Sequence, residues 1–252
     1  MFVDEGMDRL NLAERAGIPN GDVHGNKINW DHTDMNRLET LHGGDDASID
    51  VAIPTNADGA STIVLRAEAT ISNVGDLEIN RKIESSTITI QVASDVQATA
   101  NAMYYDASGS SVGSGPLPPQ VGQETVYRVT WSVANALNDV KDLVMIAPIP
   151  SDSSWGGLVS NTDGNVHFDS VANRVRWSVG DLPAGAAPPI AVFDIKVNPS
   201  SADVGTFLDL LGAGAVTAYD TVTGAQVTTS APSLTSELPN DPLAENKGVV
   251  IE

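Results

Sequence analysis

Two stretches of this chain spell the same pattern in the same order, about 145 residues apart. Asn26-Lys27-Ile28-Asn29-Trp30 is matched by Asn173-Arg174-Val175-Arg176-Trp177, each a short run with one apolar face that ends on tryptophan. The turn Leu41-His42-Gly43-Gly44 corresponds to Leu182-Pro183-Ala184-Gly185. Ile49-Asp50-Val51-Ala52-Ile53-Pro54 then corresponds to Phe193-Asp194-Ile195-Lys196-Val197-Asn198-Pro199, and both alternate apolar with polar as a half-buried strand requires. Thr55-Asn56-Ala57-Asp58 matches Ser200-Ser201-Ala202-Asp203, ahead of the apolar runs Ile63-Val64-Leu65 and Leu208-Asp209-Leu210. Matches kept in order over such a length mark a repeated domain, and its copies must share a fold.

The second copy is complete and the first is not. Residues 96–238 read as one whole unit, residues 1–95 match only its latter two-thirds, and residues 239–252 form a tail. The fold expected is all-β, with tandem immunoglobulin-like β-sandwich domains of which the first is incomplete at its N-terminus. A sandwich without its opening strands exposes sheet edges and core. The missing strands then come from an upstream polypeptide, from a neighbouring molecule or from nowhere, and the chain reads as a fragment or matured product of a longer array.

Strand signals in the complete unit come at the spacing of a sandwich. In Glu124-Thr125-Val126-Tyr127-Arg128-Val129-Thr130-Trp131-Ser132-Val133, the residues Tyr127, Val129, Trp131 and Val133 form the core face. Leu143 to Ala147 is a strand stopped by Pro148 and Pro150, and Pro116 to Gly122 is a stiff connector. Val166-His167-Phe168 and Arg174 to Trp177 form one hairpin, and Val216 to Tyr219 with Ala225 to Thr229 another, with Gly224 at a left-handed turn position. Ile88 to Asp95 joins the units with so little linker that a semi-rigid rod is expected. Met7 to Arg15 is the one helix-like stretch.

Charge excludes one class of partner. The net charge of −20, with only 13 basic residues, repels nucleic acid. No cysteine is present, so neither disulfides nor thiolate chemistry operate. No apolar run approaches the roughly 20 residues of a transmembrane helix.

Nothing gathers a catalytic set. His24, His32, His42 and His167 lack the close spacing of metal ligands and read as turn or surface residues. Gly109, Gly113 and Gly115 have no helix after them to cradle a phosphate. Asn161-Thr162-Asp163-Gly164-Asn165 alternates oxygen donors as calcium loops do, but its glycine is misplaced and no glutamate closes it. Asp45, Asp46 and Asp95 are the other calcium candidates, and calcium is the only cofactor considered; no catalytic, cofactor or metal residue is assigned. A lysine–asparagine crosslink would have to use Lys141 or Lys196. Trp30, Trp131 and Trp177 read as core, whereas Trp155 sits in a loop-like context, more readily tucked in than exposed.

Gly115-Pro116-Leu117-Pro118-Pro119-Gln120-Val121-Gly122, followed by Thr125-Val126-Tyr127-Arg128-Val129-Thr130-Trp131-Ser132-Val133-Ala134-Asn135, resembles the opening of the conserved tandem-repeat domain of large bacterial surface proteins. Leu234 to Pro242 with Lys247-Gly248-Val249-Val250 is similar to the close of such modules. The resemblance covers residues 96–250 and part of 25–95. It implies an immunoglobulin-like module of a cell-surface layer, stalk or adhesin, extracellular, with no catalytic motif. The function expected is therefore structural, with other copies of itself or adjacent repeats as partners, through end-to-end or strand-complementing contacts. The alternative is an adhesin-type module binding carbohydrate or protein through loops at one end of the sandwich. An enzyme is not expected.

Overall fold

The computed structural model describes every residue except 15–17, 19 and 57–58, and the protein is all-β with several antiparallel sheets. The chain divides into two compact units, Met1–Val92 and Ala93–Glu252.

The first unit holds β1 (Phe2–Glu5), β2 (Asp22–His24), β3 (Lys27–Asn29), β4 (Thr62–Arg66), β5 (Glu68–Val74), β6 (Leu77–Glu84) and β7 (Ile88–Gln91). Five of them make one sheet in the order β2-β3-β1-β4-β7, while among the described residues β5 and β6 pair only with each other. Its core is small, made of Val3, Leu10, Leu12, Ile18, Ile28 and Ile63. Arg9 lies buried beside it. The guanidinium donates to the carbonyls of Ala60, Asn56 and Gly59 at 3.0, 2.8 and 2.7 Å, so its planar fork of donors ties these three carbonyls together.

Three expectations are corrected here. The helix over Met7 to Arg15 reduces to a 3-10 turn, Met7–Arg9, with Arg15 outside the described residues. Ile49 to Pro54 is not a strand: Ile49, Val51 and Ile53 are half-buried and Asp50 and Ala52 exposed, yet no ladder forms. Alternation there reports which side chains meet the core, and backbone pairing is a separate condition that the segment does not meet. Trp30 falls just past β3 and is half-buried rather than core. Of the matched turn Thr55 to Asp58, Ala57 and Asp58 lie outside the described residues.

The second unit is a two-layer sandwich. It holds β8 (Val96–Met103), β9 (Thr125–Asn135), β10 (Val140–Pro148), β11 (Ser153–Asn161), β12 (Asn165–Asp169), β13 (Arg174–Leu182), β14 (Ile190–Val197), β15 (Asp209–Leu211), β16 (Gly214–Asp220), β17 (Gln226–Ala231) and β18 (Leu234–Thr235). One sheet runs β12-β13-β10-β16-β17 and the other β11-β14-β9-β8, with β15 and β18 as a small pair. The chain changes layer between β9 and β10, β10 and β11, β11 and β12, and β13 and β14, and the two sheets enclose one core.

β9 buries every second residue, and Tyr127, Val129, Trp131 and Val133 are fully covered. Leu143 and Met145 of β10, Trp177 of β13 and Phe193 of β14 share that core. Each such side chain contributes about 1.5–3 kcal/mol by leaving water. Trp131 stands edge-on to Phe193 with ring centroids 5.0 Å apart, the geometry aromatic quadrupoles favour. The hairpins β12–β13 and β16–β17 form where expected, with Gly224 at φ 67°. Residues of the 239–252 segment are built into this unit: Ala244 and Val250 are buried, and the Asp241 carboxylate accepts the backbone N–H groups of Tyr104 and Tyr105, both at 2.8 Å.

A buried polar knot closes one end of the sandwich. The Asp220 carboxylate accepts from the Ser94 N–H at 2.6 Å, the Asn138 side-chain amide at 2.8 Å, and the N–H groups of Val222 and Thr223 at 2.9 and 2.7 Å. Burial on its own raises this carboxyl's pKa, but donors led by Thr223, Asn138 and Ser94 outweigh it and hold the group at about 2, below the ordinary 3.8. Because the folded value is depressed, the ionised form stabilises the fold above the unfolded pKa, and that contribution disappears as pH falls through about 2.

Two expected outcomes follow from this packing. Asp220→Asn costs about 2–4 kcal/mol at neutral pH, because an amide cannot accept from all four donors, and it flattens the fall in melting temperature between about pH 4 and pH 2; thermal melts of both proteins across that range check it. The Tyr127 hydroxyl is buried with no hydrogen-bond partner. Tyr127→Phe is therefore neutral or stabilising by up to about 1 kcal/mol in chemical denaturation, and a loss above that size means the hydroxyl is satisfied in solution.

Candidate interaction surface

The second unit offers little to a small ligand. A groove of about 420 Å³ runs past Phe207, Glu237, Leu238, Pro239 and Glu245, beside Asp241. The Asp241 carboxylate is already occupied by backbone N–H groups. No hydroxyl or amine with an adjacent base lines the groove.

The residues singled out in the sequence do not converge. His24, His32 and His167 are exposed, and His42 meets only Asp45, at 3.3 Å. Among the described residues, no three His, Asp or Glu side chains gather as a metal site would need. In the Asn161 to Asn165 loop, the carbonyls of Asp163 and Gly164 accept from the Asn161 side chain, and the Trp177 ring N–H also donates to Asp163. Gly109 and Gly115 sit at φ 84° and 86° in turns. Lys141 is exposed, and Lys196 pairs with Glu124 at 3.1 Å, so neither lies in the buried lysine–asparagine–acid arrangement a crosslink demands. Trp155 lies on strand β11 rather than in a loop, half-buried, stacked on Phe168 and tilted against Phe193.

What the first unit does present is apolar surface on strands. Of the eighteen large hydrophobic residues exposed among those described, seven fall between residues 71 and 90: Ile71, Val74, Leu77, Ile79, Ile83, Ile88 and Ile90. A scatter of single exposed residues needs no explanation, whereas a concentration like this one does.

Two features place it. β7 is the outer strand of the five-stranded sheet, and its Ile88 and Ile90 stand opposite Leu65 and Ile63 of β4. Ile63 is core, so Ile88 and Ile90 point to the core side of the sheet, yet the core does not reach them. From Ser85 to Val92 the chain carries no charge and no proline, the devices that ordinarily blunt a sheet edge. The β5–β6 hairpin is exposed on nearly every residue. Ala69 pairs with Ile83 and Ile71 with Arg81, which puts Ala69, Ile71 and Ile83 on one face.

Charge pairs fasten the base of the hairpin to the sheet. Arg66 of β4 donates to Asp4 of β1 at 2.9 Å and lies 3.6 Å from Glu84 of β6, over the ring of Phe2. Lys82 meets Glu68 at 2.8 Å, and that hydrogen bond holds the Glu68 carboxyl below its usual range. Exposed pairs of this kind each contribute at most about 1 kcal/mol. They orient the hairpin without burying its apolar face.

The Ile88 and Ile90 positions were legible as strand, but not as surface: Ile-x-Ile alternation signals a covered face whether or not the cover is present.

No protein-family model matches the chain, and no curated protein matches it. Among solved structures, the full-length major pilin SpaD from Corynebacterium diphtheriae is similar at 7% identity over 87% of this chain and 57% of that one, with a TM-score of 0.36. The major pilin BcpA of Bacillus cereus is similar at 10% identity over 75% of this chain and 50% of that one, with a TM-score of 0.37. A GH20 exo-β-N-acetylglucosaminidase inactive mutant from Vibrio harveyi is similar at 7% identity over 54% of this chain and 17% of that one, with a TM-score of 0.29. The chain spans about half the length of the pilin chains. At identities and scores this low, none of them carries an argument about what the chain does.

Because Leu77 and Ile88 are 71% and 61% exposed, Leu77→Lys and Ile88→Lys leave the melting temperature within the change that about 0.5 kcal/mol produces, and both reduce binding of a fluorescent apolar-surface dye. A large drop in melting temperature would show that these residues are covered in solution.

Proposed function

We propose that this chain is an extracellular structural module of a bacterial surface layer, stalk or fibre, assembling through protein–protein contacts made by its β-strands. The observation that carries the reading is the run of seven exposed apolar residues on strands with open edges, in a chain whose net charge is −20. So acidic a protein is soluble as a free molecule, and apolar strand surface is the feature that overrides the repulsion when it meets a complementary edge.

The reading takes the two units as copies of one module, the first lacking its opening strands. Supporting this, β2–β3 leads to Trp30 much as β12–β13 carries Trp177, and the hairpin β5–β6 follows β4 as β16–β17 follows β15. It also takes the chain to be non-enzymatic, since the described side chains bring no nucleophile and base to a shared cleft.

Electron microscopy of the purified, concentrated chain tests the proposal. Filaments or lattices are expected, forming more readily as salt screens the acidic surfaces. A chain that stays strictly monomeric by sedimentation at high concentration, with salt present, overturns it.

A further inference from the structure

The three arginines of the second unit differ in what they meet. Arg128 pairs with Asp194 at 2.9 Å and Arg174 with Asp169 at 3.3 Å. Arg176 is exposed, its Nε donates to the Ser178 hydroxyl at 3.2 Å, and among the described residues no carboxylate pairs with it. In a chain of 33 acidic and 13 basic residues, position is what keeps this guanidinium from a carboxylate.

That position is the outward face of the sheet β12-β13-β10-β16-β17, whose other face holds Trp177, Met145 and Val216 in the core. Strand register sets Arg176 in one row with His167 and Ile146, and Ser178, Val144 and Thr217 in the next. Across all five strands neither row contains a carboxylate. Asp142 and Asp181 come only at the β10 bulge, past these rows. Tyr219 is 42% exposed two residues beyond Thr217, so the face presents an arginine and an aromatic, the residue types that dominate binding surfaces. Its strands are five to nine residues long. At about 3.3 Å per residue and about 4.8 Å between strands, the face covers about 500 Å². A contact over it totals about 1,000 Å² on two copies, the lower limit for a specific interface.

The same unit carries a surface of opposite character. In the groove beside Asp241, the Phe207 ring is 47% exposed and lies with Pro239, Glu237 and Glu245. Both glutamates are exposed, and among the described residues no cation pairs with either. Lys247, the nearest basic residue in sequence, is turned to the Leu243 carbonyl at 2.9 Å and the Tyr105 ring. Carboxylates beside an aromatic face suit a guanidinium, which donates to the first and lays its plane on the second.

We propose that Arg176 of one copy enters this groove on a second copy, with the outward sheet face packed around it. At a net charge of −20 most approaches of two copies are repulsive, and this one brings an unpaired cation to unpaired carboxylates. Knob and groove are different patches of one unit, so the contact is head-to-tail and propagates along a row of copies unless the rotation closes a ring. The inference rests on the assembly reading above and names a contact for it.

Sedimentation of the intact chain over a range of concentrations reads the association. Arg176→Glu weakens it at least about tenfold, and Glu245→Arg does the same. Lys196→Glu, the same charge change on the outward face of the other sheet, shifts it less than about threefold. All three positions are at the surface, and thermal melts matching the unsubstituted chain show that the variants fold. Mixing the Arg176→Glu and Glu245→Arg chains restores association, because Arg176 of one then meets the intact groove of the other. Arg176→Glu chains that associate as the unsubstituted chain does, or a mixture that stays apart, overturn the inference and leave the assembly reading intact. Pairing that follows this pattern but yields no filaments under the electron microscope supports the contact and sinks the fibre reading. A chain that stays monomeric throughout overturns both.

Discussion

A β-sheet has to satisfy two conditions at once: one face must leave water, and the backbone groups along its edges must find partners or be guarded. The second unit meets both. Its two sheets close on a single core from Tyr127 and Trp131 to Trp177 and Phe193, and its edge strand β11 is broken by two register shifts that disfavour continued pairing. The first unit meets neither condition on its β5–β7 side. There a hairpin stands apart from the main sheet, and an uncharged outer strand turns two isoleucines toward a core that stops short of them.

The second unit combines that apolar core with buried carboxylates, which ordinarily cost several kcal/mol to desolvate. Asp220 and Asp241 are tolerated because each accepts several N–H groups that would otherwise be buried without partners. They also select the topology. Asp220 ties the entry of the unit at Ser94 to the β16–β17 turn, and Asp241 ties the 239–252 segment to the end of β8. A rearranged packing of the same strands would strand a negative charge, so these groups act against alternatives more than they add to stability.

Legibility in the sequence followed the range of each signal. β9 could be read outright, since its alternation is local and one face is wholly buried. So could the β16–β17 turn, where Gly224 supplies a positive φ that other residues resist. Ile49 to Pro54 misled because alternation reports burial and says nothing of a hydrogen-bonding neighbour. The roles of Asp220 and Asp241 were hidden for a different reason: their partners lie 126 and 137 residues away, at Ser94 and Tyr104. Arg9 was hidden likewise, its carbonyl partners being about fifty residues downstream. Which strands of the first unit lie at an edge depends on topology, and only the strand order supplies that.

The edge of β5 makes the stability of the first unit a function of its surroundings. Its own core is six buried apolar residues and a clamped arginine, against thirty buried residues in the second. Any strand that pairs with β5 adds ladder hydrogen bonds and buries apolar surface that the free chain exposes. By mass action it would stabilise the first unit by an amount that grows with the logarithm of its concentration over its dissociation constant.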